Sequence, residues 1–209
     1  MRARVVTLIL KIIGKGCPEY TEDQMAVVKY GLESIYILIT KMIVLTLAAT
    51  MMGIIKEFLI FLIFFGIIRS TAFGLHANKS WECYVSSFLL LVLPPWICLQ
   101  FEMNFWIQLI LGTFAIGYIY KYAPADTKKR PIVSKKRRKV YKIISTLTAW
   151  LYVIASFYTP RFYANSLIAV LLIECLMISP EIYSFFHLPY ANYRQYLEHV
   201  SEVRGSMSV

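Results

Sequence analysis

The sequence predicts an all-α integral membrane protein with about six transmembrane helices and an N-terminal amphipathic helix at the membrane interface. Hydrophobic residues make up 58% of the 209-residue chain, and the mean hydropathy is +0.60. These residues are gathered into long apolar runs of the length that crosses a hydrocarbon layer about 30 Å thick. A soluble domain of this size does not carry so many uninterrupted apolar runs, so the sequence excludes an ordinary globular protein.

The first element is an amphipathic helix predicted over residues 1–16. Basic and polar residues recur on it at spacings of three and four, and valines, leucines and isoleucines fill the other positions. Such a helix lies in the membrane surface with its basic stripe toward anionic head groups, or else forms part of a packed bundle. Thr21, followed by Glu22 and Asp23, then predicts a second helix start. The stripe consists of Arg4, Thr7, Lys11 and Lys15.

Six apolar segments follow, and they are predicted to form three helical hairpins at 34–68, 84–122 and 143–179. The proline pair Pro94-Pro95 interrupts the third segment and predicts a kink there. The second segment is short, which leaves open whether it crosses the bilayer or re-enters it. The six segments are 34–52, 54–68, 81–100, 105–122, 143–158 and 162–179.

The basic residues predict which side of the membrane each segment faces. With six spans, all but three of the 22 lysines and arginines fall on one side, which also holds a basic loop at 123–142 and a tail at 180–209. The positive-inside rule assigns that side to the cytoplasm, so both termini and the interval 69–83 are expected there. The net charge of +10 thus reflects topology and contact with membrane lipids rather than nucleic-acid binding. The exceptions are Lys41, Lys56 and Arg161.

Two charged residues lie inside the predicted spans, Lys41 and Glu174. Each costs about 2.5 to 3.5 kcal/mol at the bilayer centre, so both should face the bundle interior, pair or reach toward the interface. The alternatives are a structural contact between the two side chains, or a place for one of them in a substrate cavity.

The polar interval 69–83 contains the candidate catalytic residues, His76 and Cys83. On one straight helix they would be separated by about 10.5 Å of rise, whereas a thiol–imidazole hydrogen bond needs about 3 to 3.5 Å. The two side chains can therefore act together only if the chain folds back, which Gly74 and the polar run 78–80 allow.

Cys83 is predicted in the first turn of a helix that starts at residue 81, with Ser80 as its N-cap. Unpaired backbone amides and the positive end of the helix dipole favour a thiolate there, Arg69 adds positive potential, and Glu82 opposes it. The alternatives are that Cys83 is a small apolar filler and that His76 is a solvated loop residue. The candidates for a third group that orients the imidazole are Asn78, Glu82 and Asp126.

Two stretches of the sequence resemble the accessory gene regulator B family. One is the set of spaced residues in the polar interval, and the other is the proline-bracketed basic stretch 123–131. Both occur at the spacing and in the segment order of that family, over nearly the whole chain. The spaced residues are Arg69, Gly74, His76, Ala77 and Cys83.

The resemblance implies an activity. The family consists of membrane cysteine endopeptidases that process quorum-sensing propeptides in Gram-positive bacteria. Here it assigns the catalytic roles to His76 and Cys83, with Arg69 and Gly74 as motif residues. It further implies a location in the bacterial cell membrane, an acyl-enzyme thioester, and a thiolactone or lactone product.

The resemblance also implies a peptide partner, because the family's substrates carry an acidic tail beyond the cut site. Docking of that tail is expected on the basic loop, which on the alternative interpretation only determines topology. Apart from the resemblance, a second copy of the chain is an expected partner, as a homodimer. The expected docking residues are Lys135, Lys136, Arg137 and Arg138.

Other classes of function are less well supported. The four cysteines form no CxxC pair and the chain contains no HExxH, so neither a metal site nor any other cofactor is expected. A small-molecule or peptide transporter is compatible with six spans, but no internal repeat is visible. A membrane scaffold without catalysis is a further alternative.

Overall fold

A computed structural model describes residues 2–17, 19–75, 80–127, 131–194 and 196–197. Within these residues the regular secondary structure is helical, and the isolated bridges include a parallel one between Phe73 and Ala125. An all-α protein is therefore confirmed. The helices are α1 (Arg2–Gly16), α2 (Glu22–Met51), α3 (Ile55–Ala72), α4 (Ser80–Leu91), α5 (Leu93–Gln100), α6 (Phe105–Tyr122), α7 (Lys135–Ser156), α8 (Arg161–Ile178) and α9 (Pro180–Phe185).

The chain divides into two compact units, residues 1–53 and 54–209. In the first unit α1 packs against α2. Thr21 caps α2 as the sequence predicts: its hydroxyl accepts from the Gln24 amide at 3.3 Å, and the Gln24 side chain accepts from the Thr21 amide at 3.0 Å. Because no proline interrupts it, α2 continues from this cap to Met51, and the first predicted span is its C-terminal part.

In the second unit α8 is the central helix, in contact with α3, α5, α6 and α7. Ten of its 18 residues are buried, which is why its sequence is apolar on nearly all faces. Near its N-terminus, the Asn165 amide group donates to the carbonyls of Cys98 at 3.1 Å and Phe101 at 2.6 Å. Asn165 thereby joins α8 to the end of α5.

Three described segments are long and apolar enough to cross a membrane: Glu22–Met51, Trp81–Gln100 and Arg161–Ile178. These helices indicate a membrane protein, whereas the count of six spans and the interfacial placement of α1 stay predictions. The segment Trp81–Gln100 is interrupted at Val92, and Pro94 and Pro95 open the second half. The interruption agrees with the predicted kink.

Two predicted boundaries are wrong. α3 continues to Ala72, so Arg69 lies in the last turn of a helix rather than in a polar loop. α7 begins at Lys135, so the second part of the predicted loop 123–142 is helical. The Ser134 hydroxyl accepts from the Arg137 amide at 3.4 Å and caps this start, and lysine and arginine are good helix formers.

Candidate active site

The site is built around the turn that follows α3. The helix ends where the Phe73 amide donates to the Arg69 carbonyl at 3.2 Å. Phe73 and Gly74 then take positive φ values of 59° and 108°, in the left-handed region that disfavours side chains. These two residues turn the chain sharply just before the segment that contains His76.

Backbone hydrogen bonds hold this turn from two sides. On one side, the Ala125 amide donates to the Ala72 carbonyl at 3.0 Å, and the Gly74 amide donates to the Ala125 carbonyl at 2.8 Å. On the other, the Leu75 amide donates to the Met177 carbonyl at the end of α8, at 2.9 Å. The turn is therefore fixed to the stretch after α6 and to the central helix.

Arg69 holds the carbonyl groups of the same turn. Its guanidinium donates to the Phe73 carbonyl and, at 2.5 Å, to the Leu75 carbonyl. It also pairs with the Glu174 carboxylate of α8 at 3.4 Å, and the Glu174 side chain is fully buried. Arg69 thus links three elements: the last turn of α3, the turn that leads to His76, and the core helix.

Gly74 is a glycine because no other side chain fits. A β-carbon at this position would lie 2.6 Å from the Met177 carbonyl oxygen and 2.6 Å from an Arg69 nitrogen. Both distances are far below van der Waals contact. The two motif residues Arg69 and Gly74 are therefore packed against each other, which their spacing in the sequence did not reveal.

Cys83 lies in the first turn of α4 and is half-buried. Its carbonyl accepts from the Ser86 hydroxyl at 3.3 Å. The expected N-cap role of Ser80 is wrong by one position, because α4 begins at Ser80 itself. Cys83 is thus the fourth residue of the helix and still lies in its first turn.

Other predicted site residues have different outcomes. His76 and Asn78 lie outside the described residues, so the pairing of His76 with Cys83 stays a prediction. Glu82 is half-buried in the first turn of α4 and precedes Cys83 in the chain. Cys98 and Cys175 are buried in apolar helices, as expected for structural cysteines.

Asp126 is engaged in a structural role. Its buried carboxylate accepts from the backbone amides of Ile132 at 3.3 Å, Asn192 at 2.9 Å and Tyr193 at 2.8 Å. These contacts connect Asn192 and Tyr193 of the C-terminal segment to the stretch after α6, where the Ala125 carbonyl accepts from the Gly74 amide. The expectation that Asp126 orients His76 stays a prediction, but three of its roughly four acceptor positions are already used.

The four expected docking residues divide into two groups. Lys135, Lys136 and Arg137 are exposed at the start of α7. Arg138 is half-buried, donates to the Ile132 carbonyl at 2.8 Å, and lies 3.7 Å from the ring centre of Tyr193. Arg138 therefore stabilises the loop, and the first three form the exposed basic surface.

A groove of about 400 Å³ lies between this surface and the turn after α3. Its walls are mostly apolar, and Arg137 is the charged residue among those that line it. Phe73 and Tyr141 meet edge to face in it, with ring centres 5.0 Å apart. The lining residues are Phe73, Pro131, Ile132, Val133, Ser134, Arg137 and Tyr141.

Comparison with known proteins identifies the family. A family model described as accessory gene regulator B matches residues 6–178. This chain belongs to the accessory gene regulator B family. No solved structure matches it.

Individual relatives in this family agree over most of the chain. Accessory gene regulator protein B of Staphylococcus aureus strain Newman is 39% identical over 130 residues, covering 61% of this chain and 69% of the relative. The protein of the same name from strain MRSA252 is 33% identical over 164 residues, covering 77% and 86%. A Clostridium acetobutylicum protein named as AgrB-like is 33% identical over 171 residues, covering 80% and 81%.

Glu174 is the site residue whose role the sequence did not assign. The only signal was a carboxylate inside an apolar span, which called for a partner or a cavity. The partner that the structure gives it is Arg69, a member of the family motif.

Proposed function

We propose that this protein is a membrane cysteine endopeptidase that cleaves a quorum-sensing signal propeptide and promotes its cyclisation. The observation that carries the proposal is the position of Cys83 in the first turn of α4, a short way along the chain from the turn at Phe73, Gly74 and Leu75 that Arg69 holds. Membership of the family and the apolar helices support it. Membership of the family favours a bacterial cell membrane, and the basic residues favour an orientation with both termini and the 69–83 interval in the cytoplasm.

The reaction proceeds through a covalent intermediate. His76 takes the proton of the Cys83 thiol, and the thiolate attacks the carbonyl carbon of the scissile peptide bond. As the C–N bond breaks, His76 returns the proton to the leaving amine, and a thioester remains on Cys83. A thiol or hydroxyl of the same peptide then gives its proton to His76 and attacks the thioester carbonyl. The bond to the Cys83 sulfur breaks, which closes a thiolactone or lactone ring and releases the Cys83 thiolate.

The ring forms in preference to the hydrolysed acid because the internal nucleophile is close and water is scarce. A tethered nucleophile reaches effective concentrations of about 10⁵ M or more, far above that of bulk water. The partial burial of Cys83 in the described structure limits its contact with solvent.

The substrate docks through its acidic tail on the exposed basic surface of Lys135, Lys136 and Arg137. The adjoining groove has apolar walls with Arg137 at its edge, so it suits a peptide that carries both apolar side chains and carboxylates. Arg138 contributes to this surface only indirectly, because its side chain is held by the Ile132 and Val133 carbonyls.

The catalytic proposal is tested with a co-expressed propeptide that has an acidic tail. Cys83→Ala and His76→Ala should abolish cleavage while membrane insertion stays normal, and the parent should accumulate a thioester on Cys83 that mass spectrometry detects. Cys17→Ser, at a half-buried cysteine in the other unit, is the matched control and should process normally. Normal cleavage of the propeptide in the presence of Cys83→Ala would contradict the proposal that this protein is the cysteine endopeptidase. It would favour a transporter or a scaffold.

The docking proposal is tested separately. The triple substitution of Lys135, Lys136 and Arg137 by Gln should raise KM for an acidic-tailed propeptide about tenfold or more, with a smaller effect at high salt because exposed charges are screened. The same protein should cleave a propeptide with a neutral tail as the parent does. An unchanged KM in correctly inserted protein would remove the docking role.

A further inference from the structure

We infer that Glu174 is a positioning residue of this active site, acting through Arg69 on the turn that leads to His76. The inference rests on the proposed function, because it concerns the geometry of the same reaction. On this inference, the Glu174 carboxylate in α8 has a role in catalysis in addition to any contribution to stability.

The burial of Glu174 is the first observation. Its side chain has no exposed surface, and it lies in α8 among apolar residues. Oε1 pairs with Arg69 at 3.4 Å, while Oε2 has no hydrogen-bond partner among the residues that the structure describes. An ion pair this deeply buried is often no more stabilising than apolar side chains of the same volume, because desolvation opposes the attraction. The pair therefore points to a function other than stability.

The geometry of Arg69 is the second observation. A guanidinium is planar and has five donors in a fixed fork, so it can serve a carboxylate and two carbonyls at the same time. Here it serves Glu174 together with the carbonyls of Phe73 and Leu75. Glu174 fixes one edge of the fork, and the remaining donors then face the turn.

The division of hydrogen bonds within the turn is the third observation. The amide of Gly74 donates to the Ala125 carbonyl, and the amide of Leu75 donates to the Met177 carbonyl. The carbonyls of Phe73 and Leu75 both accept from the Arg69 guanidinium. The Leu75 carbonyl belongs to the planar peptide group that joins Leu75 to His76, so the guanidinium holds the last described carbonyl before His76.

Two variants separate positioning from stability. Glu174→Gln keeps the size of the side chain and removes the charge that orients the fork. Arg69→Lys keeps an ion pair with Glu174, but a single ammonium cannot replace the fork on both carbonyls. Each should lower kcat for propeptide cleavage about 10- to 100-fold, the loss expected for a charge-assisted hydrogen bond, and leave KM nearly unchanged.

The matched control lies on the same helix. Asn165→Ala removes buried hydrogen bonds near the opposite end of α8, about 13.5 Å away along the axis. It should lower the melting temperature without a specific effect on the reaction. If Glu174→Gln unfolds more readily than this control, Arg69→Lys, which keeps the charge pair, decides the test.

The decisive measurement is the rate of Cys83 alkylation by iodoacetamide as a function of pH, followed by mass spectrometry of the Cys83 peptide. In the parent, the imidazole should assist the reaction by accepting the thiol proton. In Glu174→Gln and Arg69→Lys the profile should move to higher pH, and in Asn165→Ala it should match the parent. Profiles and kcat that equal the parent's in both variants would overturn the inference.

A loss of processing that only follows the melting temperature, with unchanged alkylation profiles, would overturn it as well. Cys83→Ala is measured alongside. If it still cleaves the propeptide, the proposed function itself fails. If cleavage depends on Cys83 but both variants behave as the parent does, the inference about Glu174 fails alone.

Discussion

Gly74 approaches the Met177 carbonyl so closely that a β-carbon on it would lie 2.6 Å from the carbonyl oxygen. The contact joins the turn before His76 to the end of the core helix α8. Because both partners are backbone, neither can move away without shifting the turn or the helix. The position of the candidate site thus depends on a residue with no side chain.

Gly74→Ala should therefore lose processing and stability together. The strained φ and the two short contacts should lower the free energy of unfolding by about 1 to 3 kcal/mol. Thermal melting and propeptide cleavage measure the two effects. Gly66→Ala in α3 is the control, because nothing lies within 4 Å of its β-carbon. Equal behaviour of the two variants would contradict the close contact.

Asp126→Asn should release the C-terminal segment. An amide cannot accept from all three backbone donors as the carboxylate does, so a loss of about 1.5 to 3 kcal/mol is expected. Trypsin cleavage after Arg194 should become faster, which gel electrophoresis measures. The exposed Asp23→Asn should leave this cleavage unchanged. If Asp126→Asn loses propeptide processing while trypsin cleavage after Arg194 stays as slow as in the parent, the result would instead support a role of Asp126 in orienting His76.

Gly112→Ala should separate α6 from α7. A β-carbon there would lie 2.8 Å from a Val153 methyl group, and overpacking of this kind costs about 1 to 3 kcal/mol. Val153→Ala in the same protein should restore part of the melting temperature, since it removes the methyl groups that clash. Gly117→Ala, with open space around it, is the control. A double variant no more stable than Gly112→Ala would argue against this contact.

Alkaline pH should loosen the tail at Tyr190. Burial raises the pKa of its phenol to about 12, and its hydroxyl donates to the Tyr122 carbonyl at 3.3 Å. The unfolded chain loses this proton near pH 10, so stability falls as the pH rises from about 10 toward 12. The drop in melting temperature between about pH 9 and about pH 11 should be smaller in Tyr190→Phe. An equal drop in both proteins would show that Tyr190 does not contribute.

Local sequence signals predicted several elements well. The fourth apolar segment, 105–122, coincides with α6, because Asn104 accepts from the Ile107 amide at 2.9 Å and caps its start. Thr21 caps α2 through the same kind of contact. Such signals succeed because donor and acceptor are three residues apart.

The start of α7 was missed for a different reason. Its first turns are basic, and the run of lysines and arginines favours a loop when it is judged by charge alone. The positive charge of a segment indicates which side of the membrane it faces, whereas helix formation depends on backbone propensity and capping. Ser134 supplies the cap.

The sequence by itself determined the helical membrane-type fold, because composition and apolar runs predict it. A short motif was enough to indicate the family and the two candidate catalytic residues. Only the tertiary structure decided what Arg69 and Gly74 are for. Arg69 and Glu174 are 105 positions apart, and no local pattern pairs them. They meet because a buried carboxylate requires a cation and the packing of α3 against α8 brings that cation to the turn before His76.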